Sequence, residues 1–149
     1  MPTNRAFNLG KYMRNHARKV DQALSQYLPS ARTKPPTIHK AMRHSLFAGG
    51  KRIRPILTIA AAEACGGSSS TALPLACAVE CIHTYSLVHD DLPAMDNDDF
   101  RRGKLSTHKK FNEFAAILAG NSLLTLAFEI LSSSELNLKE KNKNELIKT

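Results

Sequence analysis

No stretch of the 149 residues alternates apolar and polar side chains long enough to make a convincing half-buried strand. Apolar residues gather instead in long runs separated by prolines and paired glycines, the punctuation of helices. Residues 5–28 form an amphipathic segment ending at Leu28-Pro29, and 29–36 (PSARTKPP) is a turn-rich connector. Thr37 to Ala48 is a second helix closed by Gly49-Gly50. Pro55 suits the first turn of a third helix, which stops at Gly66-Gly67. The serines 68–70 or Thr71 can cap a fourth, with Pro74 near its first turn. That helix runs into Asp90-Asp91, where Pro93, lacking an N–H, disturbs it. Residues 92–105 read as mostly loop, and one long helix follows over 107–131. The tail, 132–149, is polar and lysine-rich with a faint helical pattern and is expected to be loosely held. The fold class is all-α.

A chain of this length can bury a core without disulfides. Cys65, Cys77 and Cys81 form no C-x-x-C pair, and with no secretory signal in view they read as reduced thiols of a cytoplasmic protein. Cys77 and Cys81, four apart, share a helix face; buried thiols are the preferred reading over a metal pair. The first twenty residues lack the continuous apolar core of an export signal. They are basic and somewhat amphipathic, as an organelle-targeting segment would be, and an ordinary first helix is the reading adopted. Phe111 to Leu131 is the most apolar span, but Glu113, Asn121 and Glu129 within it argue against a membrane helix. A net charge of +8 calls for an anionic partner: nucleic acid, an acidic membrane or a phosphorylated small molecule. No nucleic-acid motif is present, so no nucleic-acid partner is expected.

Of six aspartates, five fall within 90–99: Asp90, Asp91, Asp96, Asp98 and Asp99. A basic chain that gathers its Asp in one turn is more plausibly building a cation site than decorating a surface. Mg²⁺ takes one or two protein carboxylates and completes its shell with water and phosphate oxygens. Asp90 and Asp91 at a helix end, with Asp96 returned by the loop, suit that chemistry, and Arg101-Arg102 add guanidinium groups for a phosphate. The alternative is a solvated acidic turn balanced by two arginines. A calcium-binding EF-hand is excluded, since loop position six from Asp96 is Arg101 rather than Gly.

The second motif is GGKRIRP, 49–55. Lys51 and Arg54, three apart, are expected on one face of a helix, and Gly49-Gly50 lets backbone approach an anion. A diphosphate pocket and a plain helix boundary with exposed cations both fit. The Walker spacing G-x-x-x-x-G-K-[ST] is absent. His83 precedes Asp90 by seven residues, two helical turns, so both project from one face. It can donate to a phosphate oxygen or be a satisfied core histidine.

Taken together, GGKRIRP (49–55), CIHTYSLVHDDLPAMDNDDFRRG (81–103) and LAGNSLLTLAFEIL (118–131) resemble the trans-isoprenyl diphosphate synthases, the farnesyl and geranylgeranyl diphosphate synthase family. The resemblance covers roughly 40–131 and implies an all-α isoprenoid-synthase bundle around a deep apolar pocket. It implies a prenyltransferase that joins an allylic diphosphate, dimethylallyl or geranyl, to isopentenyl diphosphate with Mg²⁺. Carried onto this chain, it implies Asp90 and Asp96 as Mg²⁺ ligands with Asp91 a weaker candidate, and Arg101 as a contact to the allylic diphosphate. Lys51, Arg54, His83 and Arg102 would form the isopentenyl diphosphate pocket. Tyr85, five residues before Asp90, would be a floor that limits product length, and with the insert Leu92-Pro93-Ala94-Met95 it favours a C15 product, farnesyl diphosphate. Such chemistry needs the leaving group's charge neutralised and a dry apolar pocket.

The sequence also departs from the family. Relatives are longer and carry a second Asp-rich element, whereas no Asp follows Asp99 here. Residues 1–149 therefore read as the N-terminal part of a polyprenyl synthase domain, an incomplete bundle with little or no turnover alone. The alternative is a non-catalytic diphosphate- and Mg²⁺-binding subunit of a heteromeric synthase. A homo-oligomer, or pairing with a missing C-terminal half, is expected, because an incomplete bundle leaves apolar faces in water.

Overall fold

The structure, a computed structural model, describes residues 7–133, 136, 138 and 140–148. Helix α1, Leu9–Tyr27, starts where the Asn8 side chain accepts from the Lys11 N–H at 2.9 Å, and buries His16, Val20 and Leu24 at four-residue spacing. Helix α2, Pro36–Leu46, opens on proline, whose fixed φ suits a first turn. Arg43 of α2 reaches back to the end of α1, donating from Nη2 to the Leu28 and Ser25 carbonyls at 2.9 and 3.0 Å and from Nε to Pro29 at 2.8 Å. It satisfies carbonyls that the end of α1 leaves without helical partners.

Helix α3, Ile53–Ala64, ends through Gly66 at φ +82, with the Gly67 N–H bonded to the Ala62 carbonyl at 2.8 Å. Helix α4, Ser69–Asp90, is capped by Ser68. Pro74 therefore sits in its second turn. This helix is buried on several faces and is the centre of the molecule, packed on α1, α2, α3 and α6 (Glu113–Ser132). Small residues make the α4–α6 approach close: a Cβ on Gly120 would strike the His89 ring. Cys77 and Cys81 are fully buried in this core, which pushes both thiols up to about 12.

Local structure adds detail at three places, and at one of them, 107–131, it corrects the expectation. Residues 92–105 hold a two-stranded antiparallel hairpin, β1 (Phe100–Arg101) with β2 (Lys104–Leu105), in register Phe100↔Leu105. Its two turn residues, Arg102 and Gly103, both take positive φ, +55 and +75, the twist that a tight hairpin needs. The expected helix over 107–131 is two: α5, Thr107–Lys110, and α6. Asn112, fully extended, breaks the run by accepting from the Ala115 N–H at 2.7 Å and capping α6. In the tail, α7 spans Glu140–Lys148 and Leu136 is buried in the core, while 134, 135, 137, 139 and 149 lie outside the described residues. Helices α4 and α6 are long and apolar enough to cross a membrane by length and composition; half of each such window is buried inside the protein.

Candidate active site

The GGKRIRP segment is a turn over 49–52 that runs into α3, and its geometry depends on backbone freedom. Gly49 and Gly50 take φ +115 and +129, and Arg52 takes φ +51. Arg52 is the N-cap of α3, so Lys51 lies before the helix. The expectation that Lys51 and Arg54 share a helix face is therefore corrected: the left-handed turn at Arg52 separates them in backbone, yet both line one basin. Arg52 points inward and is 4% exposed. It donates from Nε to Asp21 at 2.8 Å, from Nη1 to Glu80 at 2.7 Å and from Nη2 to the Leu46 carbonyl at 2.7 Å.

The basin has a volume of about 460 Å³. Lys51 and Arg54 come from the turn and helix α3, His83 from α4, and Arg102 from the hairpin tip. These are the four residues that the resemblance grouped, brought together from three parts of the chain. Arg102 reaches it because the hairpin turn folds back over Gly50, where a Cβ would collide with the guanidinium; its Nη1 donates to the Gly49 carbonyl. Burial lowers the Arg102 pKa from its ordinary value. His83 lies 3.3 Å from Arg54 through Nε2. Arginine only donates, so Nε2 accepts and the ring proton belongs on Nδ1. Burial first, then the Arg54 charge, holds the His83 pKa below the ordinary histidine value.

The Asp-rich turn lies at the other end of the same helix face. Asp90 is the last residue of α4, and the Asp96 N–H donates to its carbonyl at 2.8 Å, so the loop does return Asp96 to the helix end. Asp91 is 3% exposed and takes the Arg101 guanidinium, whose Nε donates at 2.9 Å. Arg101 also pairs with Asp98 at 3.3 Å, and the Asp91 hydrogen bond raises its pKa. Asp99 pairs with Lys109 at 2.8 Å. Three of the five carboxylates are thus spent within the fold, and among the described residues Asp90 and Asp96 make no side-chain hydrogen bond or ion pair. Arg101 stands on this side, outside the basin. Tyr85 packs edge-on to His89 with ring centroids 4.7 Å apart.

The residues fit a divalent cation in part. Two unspent carboxylates are the donor set Mg²⁺ takes from protein when phosphate oxygens supply the rest. Among the described residues no three His, Cys, Asp or Glu side chains gather closely enough to hold a metal unaided.

Sequence reading missed Arg52, Asp21 and Glu80. The signal was present in Glu80, the one carboxylate inside the apolar run ALPLACAVECIHTYSL: a lone charge in a core helix requires a buried partner.

The profile of the polyprenyl synthetase family matches residues 35–149. An Arabidopsis thaliana protein, heterodimeric geranylgeranyl pyrophosphate synthase large subunit 1, chloroplastic, is 56% identical over 129 residues, 87% of this chain and 34% of its own length. A dimethylallyltranstransferase of Fischerella ambigua is 52% identical over 129 residues, 87% of this chain and 37% of its own. The crystal structure of an apo FPP/GFPP synthase from Zymomonas mobilis superposes with a TM-score of 0.90 at 41% identity, over 95% of this chain and 51% of that one. The chain spans about a third of the length of these curated relatives.

Proposed function

The chain belongs to the polyprenyl synthetase family, and on that premise we propose that it carries the substrate-gathering part of a prenyltransferase of isoprenoid biosynthesis. The reaction joins an allylic diphosphate to isopentenyl diphosphate. One observation carries this reading: Lys51, Arg54, His83 and Arg102 converge on a single basin, while Asp90, at the end of the helix that carries His83, and Asp96, returned to that end by the loop, make no side-chain hydrogen bond or ion pair among the described residues. His83 and Asp90 are seven residues apart on α4, about 10 Å along its axis. Two diphosphates held at those two places would present their carbon chains to each other.

In this reading Lys51, Arg54 and Arg102 hold the diphosphate of isopentenyl diphosphate, and neutral His83 donates from Nδ1. Asp90 and Asp96 would hold Mg²⁺, which would supply charge neutralisation for an allylic diphosphate leaving group. Asp91 acts indirectly, by fixing Arg101 beside them. Small and apolar side chains of α4 and α6 exclude water from the carbon being attacked. Tyr85 supports a C15 product, farnesyl diphosphate; the relatives' names, geranylgeranyl and FPP/GFPP, make C20 and C25 the outcomes to separate. We place residues 1–149 in one polyprenyl synthase domain, in the cytoplasm.

The test is twofold. Inorganic pyrophosphate with Mg²⁺ should bind the 149-residue chain saturably, and Lys51→Ala or Arg54→Ala should each weaken it about tenfold, the loss of roughly 1.4 kcal/mol from a charge-assisted contact. Absence of binding by a folded chain overturns the site. In a product assay with geranyl and isopentenyl diphosphates, the chain alone should give little or no turnover, because it holds one Asp-rich element. Farnesyl diphosphate made at an ordinary rate, and abolished by Asp90→Ala, would show that this half-site suffices.

A second reading, a non-catalytic diphosphate-binding subunit of a heteromeric synthase, draws on the chain's short span and on the Arabidopsis relative named as a heterodimer's large subunit. Copurification with a longer prenyl synthase chain would favour it.

A further inference from the structure

Arg52 lies in the middle of the basin's main segment, yet its side chain is buried in the wall rather than free in the open space. Lys51 before it is exposed, Arg54 after it is exposed, and Arg52 itself is 4% exposed. Its backbone takes φ +51, a conformation that a non-glycine residue holds only when surroundings enforce it. The surroundings are three acceptors from three elements: Asp21 on α1, the Leu46 carbonyl at the end of α2, and Glu80 on α4. A planar guanidinium can satisfy all three at once because its donors point in fixed directions; an ammonium cannot.

Glu80 makes the arrangement consequential. Its carboxylate is 2% exposed and stands in the wall of the basin, three residues before His83 on the same helix. An unpaired carboxylate there would repel a diphosphate. Paired at 2.7 Å to Arg52, it is neutralised, and the pair ties the turn to the helix that carries His83. Arg54 meets His83 two residues along from this tie.

We propose that Arg52 is a positioning residue for the basin: by clamping Asp21, Glu80 and Leu46 it sets the left-handed turn that aims Lys51 outward and seats Arg54 against His83. The proposal rests on the basin being a diphosphate site, and its test separates the two. Arg52→Ala would leave Glu80 buried and unpaired, which endangers folding itself, so the variant of choice is Arg52→Lys, which keeps the charge and loses the three-pronged geometry.

Two readouts on the 149-residue chain decide. The first is inorganic pyrophosphate affinity in a double-variant cycle. Arg52→Lys should weaken binding at least tenfold in folded protein, and adding Lys51→Ala should then cost far less than in the wild type, because Lys51 is already misaimed. Losses that simply multiply would overturn the proposal. The second needs no ligand: the ¹⁵N shifts of the His83 ring report its tautomer. The wild type should show the proton on Nδ1, with Arg52→Lys relaxing toward the mixture of a free imidazole as Arg54 leaves. An unchanged His83 tautomer in folded Arg52→Lys, alongside unchanged pyrophosphate affinity, sinks the proposal. If the wild type binds no pyrophosphate, the functional reading falls, and the His83 spectrum alone decides the role of Arg52.

Discussion

At the scale of single residues, the site is set by which charges are already spent. Asp91, Asp98 and Asp99 have cationic partners, while among the described residues Asp90 and Asp96 make no ion pair. Two histidines carry a further consequence. His44 and His83 both lie below the ordinary histidine pKa, in each case chiefly because burial disfavours the charged ring. A folded-state pKa below the unfolded one means that the unfolded chain takes up protons first as pH falls. Stability is therefore full above the ordinary histidine value of about 6.5 and is lost as pH drops from there through the folded values. The melting midpoint should fall between about pH 7.5 and about pH 5.5, and the fall should shrink in a His44→Gln/His83→Gln variant. An equal fall in both proteins would assign the acid sensitivity to other groups.

At the scale of elements, short-range chemistry decides where helices stop. Gly49-Gly50, Gly66-Gly67 and Pro93 mark boundaries that sequence alone exposes, and α1 to α4 begin and end within a few residues of expectation. The split between α5 and α6 was harder to see, because Asn112 sits between Phe111 and Glu113 in a run that otherwise continues a helical pattern. Its capping bond to the Ala115 N–H makes Asn112→Ala cost about 1 kcal/mol. The melting midpoint should drop by about 2–4 °C. No change would mean the break is imposed by packing of Phe111 rather than by the cap. The hairpin was missed for a related reason: Arg102-Gly103 lacks the Asn-Gly or Asp-Gly signature, and strands of two residues are too short to show alternation.

At the scale of the whole molecule, the outward face of α6 exposes three large apolar side chains around Asn121 and Thr125. Phe114, Ile117 and Phe128, which are 71%, 42% and 43% exposed, share one side of the helix. Water-facing aromatics in that arrangement favour self-association. Light scattering behind a sizing column should give a dimer or larger species for the wild type, and a shift toward monomer for Phe114→Lys/Phe128→Lys. A monomeric wild type at tens of micromolar would refute it. The all-α class and most helix limits were legible in the 149 residues, as were Lys51, Arg54, His83 and Arg102 of the basin, because capping, glycine freedom and motif spacing act over a few positions. What only the tertiary structure decided is which charge meets which. Arg52 finds Glu80 28 positions away and Arg102 finds Gly49 53 positions away. Arg101 turns to Asp91 rather than to the basin. Those pairings depend on how helices pack once their apolar faces are buried, and burial is what makes an unpaired charge too costly to leave.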